Sequence, residues 1–209
     1  MTLLSRACFC SHDTATLEGE ETHKQERDAE DKKLRVGCVF RVPLPSKYNS
    51  DALCVDINFS AAAGSELGTI VRLINVHLDS FGYTLQCRIQ QMQIAASLLR
   101  EPGCSAGLIA GEFNAISPID HKLLQENELV DAWTALHGTN DGDGATWGFA
   151  ARQKNRPDPG RLDKIAMVEL RPKEFTILRP GNIEVPRPGE ESIQIPWSDH
   201  CGLPCTFAL

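Results

Sequence analysis

The sequence predicts a mixed α/β layered domain. From Val36 onward, short apolar runs alternate with turn residues, strands outnumber helices, and the helices fall between groups of strands. Val36 to Val42 reads as a strand that ends at the Pro43-Leu44-Pro45-Ser46 loop. Leu53 to Phe59 and Thr69 to Leu78 are β-rich runs, and the small-residue connection between them predicts an antiparallel hairpin. The clearest helix runs from Leu85 to Leu99. Leu85, Ile89, Met92, Ala96 and Leu99 recur at spacings of four and three and so share one face, which makes Met92 core filler, while Gln90, Gln91 and Gln93 fall largely elsewhere. Pro102-Gly103 ends this helix before a strand over Gly107 to Ala110. Ser117-Pro118-Ile119-Asp120 starts a second helix, with Ser at the N-cap, Pro at N1 and Asp at N3. Further strands are expected at Ile165 to Leu170, at Glu174 to Leu178 and over the C-terminus.

Length and composition set the bounds. The chain has 209 residues, 42% of them hydrophobic, which suits one domain with a sizeable core. Residues 1–35 are dense in charge and offer almost no core, so they read as a solvated tail, and 36–209 as the domain. No apolar run approaches the ~20 residues needed to span a bilayer. The opening Met1-Thr2-Leu3-Leu4-Ser5-Arg6 is too short for a secretory signal, so an intracellular location, nuclear or cytoplasmic, is expected. In that setting the eight cysteines read as thiols, and neither Cys8-x-Cys10 nor Cys201-x3-Cys205 belongs to a closed zinc set of the usual spacing. The formal charge of −7 argues against a broad nucleic-acid-coating surface, though not against a site that grips a few phosphates through local arginines and a metal.

Polar groups recur where apolar strands end. Gly111-Glu112-Phe113-Asn114 follows one such run, and Trp197-Ser198-Asp199-His200 precedes another. Carboxylate, carboxamide and imidazole at strand ends are what a metal-assisted phosphodiester hydrolase needs to hold a phosphate and aim a water. Asn75-Val76-His77-Leu78-Asp79-Ser80 adds a histidine and an acid at a third strand end. Arg161 and Asp163 follow the Asp158-Pro159-Gly160 turn and share one strand face, either as a structural ion pair or as part of a site. Asn140 to Gly144 resembles a calcium loop but lacks the later glutamate of an EF-hand, so it reads as a turn. Trp147 either packs or offers a face to substrate.

In this order the elements resemble the endonuclease/exonuclease/phosphatase superfamily. The family sequence H-L-[DE]-S, G-D-x-N, T-W, R-x-D-[RK]-I and S-D-H is matched by His77 to Ser80, Gly111 to Asn114, Thr146-Trp147, Arg161 to Ile165 and Ser198 to His200. The His-Leu-acid-Ser element and the Gln/Met-rich helix directly after it resemble the tyrosyl-DNA phosphodiesterase 2 branch. The resemblance implies a two-sheet β-sandwich flanked by helices, four layers in α/β/β/α order, with the site at one end of the sheets. It implies a Mg²⁺ or Mn²⁺ ion and hydrolysis of a phosphodiester, with a nucleic acid carrying a blocked 5′ end, such as a tyrosyl adduct, as substrate. Inositol phosphates, lipid headgroups and RNA are the alternatives within the fold. By the same resemblance His200 bonds the scissile phosphate, and Asp199 orients the site and supports metal hydration. Glu112 aims the attacking water, Asn114 positions phosphate and water, and His77 and Ser80 line the cleft. Arg161 and Trp147 approach substrate, and Asp163 orients its neighbours.

Two departures accompany the resemblance. Glu112 stands where the family places aspartate, one methylene shorter. The opening T-W-N strand and the L-Q-E element, whose glutamate is the family's principal direct metal ligand, have no counterpart. The expectation is therefore an N-terminally incomplete domain exposing a sheet edge and apolar surface, impaired or catalytically silent as it stands.

Overall fold

The structure is a computed structural model and describes residues 9–11, 34–59, 69–138, 144–148 and 158–208. The strands are β1 (Phe9–Ser11), β2 (Leu34–Pro43), β3 (Asp51–Phe59), β4 (Thr69–His77), β5 (Cys104–Glu112), β6 (Val130–Asp131), β7 (Asp163–Val168), β8 (Arg171–Phe175), β9 (Asn182–Arg187), β10 (Glu190–Pro196) and β11 (Cys205–Ala208). The helices are α1 (Leu85–Leu98), α2 (Pro118–Glu126) and α3 (Ala132–His137). One mixed sheet has the order β1-β2-β3-β4-β5-β7-β6, and β8–β11 and β9–β10 form two-stranded pairs. The expected α/β layering with mixed sheets and flanking helices is the one found.

Strand alternation builds two cores. On β4, Ile74 and Val76 face one side and Val71 and Leu73 the other. Met92, Ala95 and Ala96 of α1 and Leu123 and Leu124 of α2 cover the first side. Ile74, Met92 and Ile109 are at most 1% exposed there, and burying each stabilises the fold by about 1.5–3 kcal/mol. Ile165, Met167 and Phe175 pack on the second side with Trp133 of α3 and Phe207 of β11, so the β8–β11 pair is a second β layer over β4, β5 and β7. Toward β2 the cover thins, and Val39 is left 59% exposed.

Local chemistry explains the elements. The β3–β4 pair is antiparallel, as the hairpin reading required. Ser117 caps α2 with a full capping box: Asp120 N–H donates to Ser117 Oγ at 3.3 Å and Ser117 N–H to Asp120 Oδ2 at 2.9 Å. The strand expected at Ile165 to Leu170 occurs two residues earlier, because Glu169 turns the chain with φ 52°. The next strand is likewise earlier than expected, and Leu178 makes only an isolated bridge to Gly202. The spacing of α1 misplaces Gln91, which is fully buried. Its amide donates to Pro45 O and Asp79 Oδ1 and accepts from Asp79 N–H, so a polar side chain is buried with every bond provided. The cysteines at 38, 54, 87, 104, 201 and 205 are free thiols. Among the described residues no helix is long and apolar enough to cross a membrane. The Asn140–Asp143 turn and the body of the charged tail lie outside the described residues.

Candidate active site

Strand register assembles the site. His77, the last residue of β4, pairs with Glu112, the last of β5, and Glu112 pairs with Asp163, the first of β7. Residues paired across a sheet point to the same face, so the three side chains form a row at one end of the sheet, on the side away from α1 and α2. The central strands approach closely at Gly111, which has φ 139° and where a Cβ would run into the Val76 carbonyl. Phe113 N–H then donates to Leu162 O at 2.8 Å, and the chain turns at Asn114 with φ 48°.

His200 completes the row from the C-terminal segment. Its Nδ1 is 2.8 Å from Asp163 Oδ2, and its Nε2 is 3.7 Å from Glu112 Oε2. His77 Nε2 reaches the same Glu112 oxygen at 3.2 Å. Thr146, 1% exposed, donates its hydroxyl to Asp163 Oδ2 at 2.8 Å and accepts from Asp163 N–H at 2.9 Å. Thr146 O also accepts from Cys201 N–H. One buried threonine therefore fixes both the carboxylate and the segment that carries His200. Thr146 appears in the sequence as half of the T-W pair, but nothing there shows that its partner is Asp163.

The other expected residues separate into two groups. Asn114 is buried and donates to Leu78 O at 2.7 Å and Ser80 Oγ at 3.3 Å, tying the loop after β4 to the loop after β5. Asp199 is exposed and accepts from the Trp147 indole at 3.2 Å, with its charge felt by Glu112 and His200. These belong to the site. Arg161 points elsewhere: it pairs with Asp131 at 2.5 Å, where Lys164 also approaches at 3.6 Å.

Beneath the loop after β4 is a buried polar hub that the sequence does not announce. Arg88, 0% exposed, pairs with Asp120 at 2.7 Å and donates to the carbonyls of Asp79 and Phe81. Asp79 accepts from Ser46, Lys47 N–H, Ser50 and Gln91. Burial pushes the Asp79 carboxyl up, but these hydrogen bonds outweigh it and hold it below its ordinary value. The hub fixes the backbone that presents His77 and Ser80.

The electrostatics suit acid–base work. Burial raises the Glu112 carboxyl, His77 and His200 pull it back, and Asp163 and Asp199 push it up again, leaving it above the usual range. Burial alone would lower the His200 imidazole, yet the hydrogen bond and charge of Asp163, with Glu112 and Asp199, carry it above its ordinary value. Glu112, Asp163 and His200 place donor atoms within 4.8 Å of one another. The two carboxylates are hard oxygen donors that Mg²⁺ or Mn²⁺ accepts, with His200 beside them, so the residues present fit a divalent cation.

No family model and no curated protein matches the chain. Solved structures do. TDP2 from D. rerio, complexed with single-strand DNA product, has a TM-score of 0.61 at 19% identity over 86% of this chain and 70% of its own. An endonuclease/exonuclease/phosphatase family protein from Bacteroides thetaiotaomicron has a TM-score of 0.56 at 15% identity, over 82% of this chain and 66% of its own. The B. thetaiotaomicron mannosyl-6-phosphatase Bt3783 has a TM-score of 0.53 at 16% identity, over 83% and 67%. The chain has the endonuclease/exonuclease/phosphatase fold, in the form shared with TDP2.

Proposed function

We propose that this chain is a divalent-metal-dependent phosphodiester hydrolase acting on nucleic acid with a blocked 5′ end. The observation that carries the reading is the register-built row His77–Glu112–Asp163 closed by His200. Its support from outside the chain is the fold shared with a TDP2 complexed with single-strand DNA product.

Each side chain has a task in this chemistry. Asp163 accepts from His200 Nδ1 and so fixes the ring with Nε2 toward Glu112 and the cleft. A protonated His200 there neutralises charge that grows on a phosphate oxygen in the transition state. Glu112, ionised at the end of β5, accepts a hydrogen bond from the attacking water and so aims it. Asn114 and Thr146 hold the flanking loops in place. Glu112 and Asp163 would hold a Mg²⁺ or Mn²⁺ ion beside His200. When bound, such an ion neutralises phosphate oxygens and makes the attacking water more acidic.

The test is release of tyrosine from a 5′-phosphotyrosyl oligonucleotide, run with Mg²⁺ and with Mn²⁺ and repeated with His200→Ala. Metal-dependent release that His200→Ala abolishes is the expected result. A protein inert on this oligonucleotide but active on a sugar or inositol phosphate keeps the hydrolase and loses the nucleic-acid substrate.

A further inference from the structure

The rim of the cleft beside His77 carries three aromatic side chains that belong to neither core. Tyr48, Phe81 and Tyr83 are 47%, 59% and 66% exposed. The Phe81 and Tyr83 rings stack with centroids 5.7 Å apart and 8° between planes, and Tyr48 meets Phe81 edge-on at 6.5 Å. The hydroxyls of Tyr48 and Tyr83 hydrogen-bond to each other, and Lys47 Nζ sits 4.8 Å from the Tyr83 ring centroid. The group is preassembled and open to solvent.

Its backbone is held there against preference. Phe81 has φ 72° and ψ 156°, a region that glycine alone occupies readily. The buried hub enforces this, because Arg88 Nη1 and the Thr84 hydroxyl both donate to the Phe81 carbonyl. The core thus fixes a strained residue whose ring does no packing inside. Phe81 also follows Ser80 directly, and a cleft of about 440 Å³ lined by Tyr48, His77 and Ser80 joins the rings to the proposed reaction site.

We propose that Tyr48, Phe81 and Tyr83 form a stacking platform for an unpaired nucleobase next to the scissile phosphate, with Lys47 beside the neighbouring phosphate. Exposed rings interleaved with a cation bind single strands without regard to sequence, since every base has a π-face. The chain's formal charge of −7 gives it no net attraction for a polyanion. Without a broad basic surface, affinity for a polyanion must come from contacts other than charge. The assignment rests on the nucleic-acid reading of the adjacent site.

The test is fluorescence anisotropy of the full chain in EDTA, which measures binding without turnover. One probe is a 5′-phosphorylated single-stranded oligonucleotide, and the other carries an abasic tetrahydrofuran in place of the terminal base. The wild type is expected to bind the first on the order of 10-fold more tightly. The Phe81→Ala/Tyr83→Ala variant, shown folded by circular dichroism, is expected to bind both as the wild type binds the abasic one. Equal, measurable wild-type affinity for both probes overturns the platform and leaves the nucleic-acid reading standing. No binding of either overturns both. If a 5′-tyrosyl group restores tight binding to the abasic probe, the rings hold the phenol of the adduct and the nucleobase assignment fails.

Discussion

His200 and Asp163 are joined through Nδ1 and Oδ2 at 2.8 Å, although 37 residues separate them in the chain. The bond fixes which imidazole nitrogen faces the cleft. Asp163→Asn should lower the rate at saturating substrate by 10²-fold or more, on the order expected when a catalytic group is misplaced by ~1 Å. Thr146→Val should lower it less, and Thr146→Ser should recover most of the loss by restoring the hydroxyl. Equal rates for the Val and Ser variants would show that the Thr146 bond to Asp163 does not position the ring.

Glu112 and His200 set a pH dependence. Metal-free Glu112 has a raised pKa and must ionise to hold a cation, so metal affinity should climb with pH above its ordinary 4.5. The raised His200 keeps its proton beyond 6.5, so activity should fall only at higher pH. Asp163→Asn removes a cause that raises His200 and should move the alkaline limb to lower pH. Metal titrations of the wild type across pH read the first limb, and a pH–rate profile of wild type and variant at saturating metal reads the second.

Asp79 makes a separate prediction in stability. Its folded-state pKa lies below the ordinary 3.8, so its contribution is present above that pH and is lost as pH falls through the lowered value. Asp79→Asn should be less stable than wild type at pH 7 by about 1–3 kcal/mol. Urea denaturation should show the gap closing below pH 3.8.

Arg88 is the strongest structural dependency. The Arg88–Asp120 pair is 0% and 1% exposed, and removing one partner of such a pair costs about 3–5 kcal/mol. Arg88→Met should therefore melt far below wild type and should lose activity at temperatures where it is still folded, because the carbonyls of Asp79 and Phe81 lose their donor.

Phe81→Gly should act in the opposite sense. Relief of the φ 72° strain outweighs the added chain entropy of glycine, for a net gain of about 1 kcal/mol. A thermal melt that rises while oligonucleotide binding weakens is the expected pair of results.

Much of this molecule was legible in the sequence. The 3.6-residue period of α1, the Ser117 cap of α2 and the β-rich runs of β2 to β5 are local signals, and the structure places those elements within a few residues. The strand-end positions of His77, Glu112, Asp163 and His200 were visible too, but not that the first three are register partners, which depends on long-range pairing. Gln91 falls off the apolar face of α1 in the sequence and nothing local marks Arg88 as buried, because burial of a polar group depends on partners from other elements. The six-residue α3 is too short for a period to show. The β9–β10 hairpin has a signal, Ile183 and Val185 opposite Ile193 and Ile195 around Pro188-Gly189, but Pro186 argues against a strand.

The row at the end of β4, β5 and β7 makes chemistry a reporter of strand alignment. Side chains alternate between faces, so a slip of one residue in β5 would carry Glu112 to the helix side while leaving the sheet paired. Such a slip would also turn Ile109 out of the helix-side core, so loss of turnover with a lowered melt and retained circular dichroism would point to misregistered β5, even for a substitution far from any catalytic group. Screening core variants of β5 for activity is accordingly a way to read hydrogen-bond register in solution.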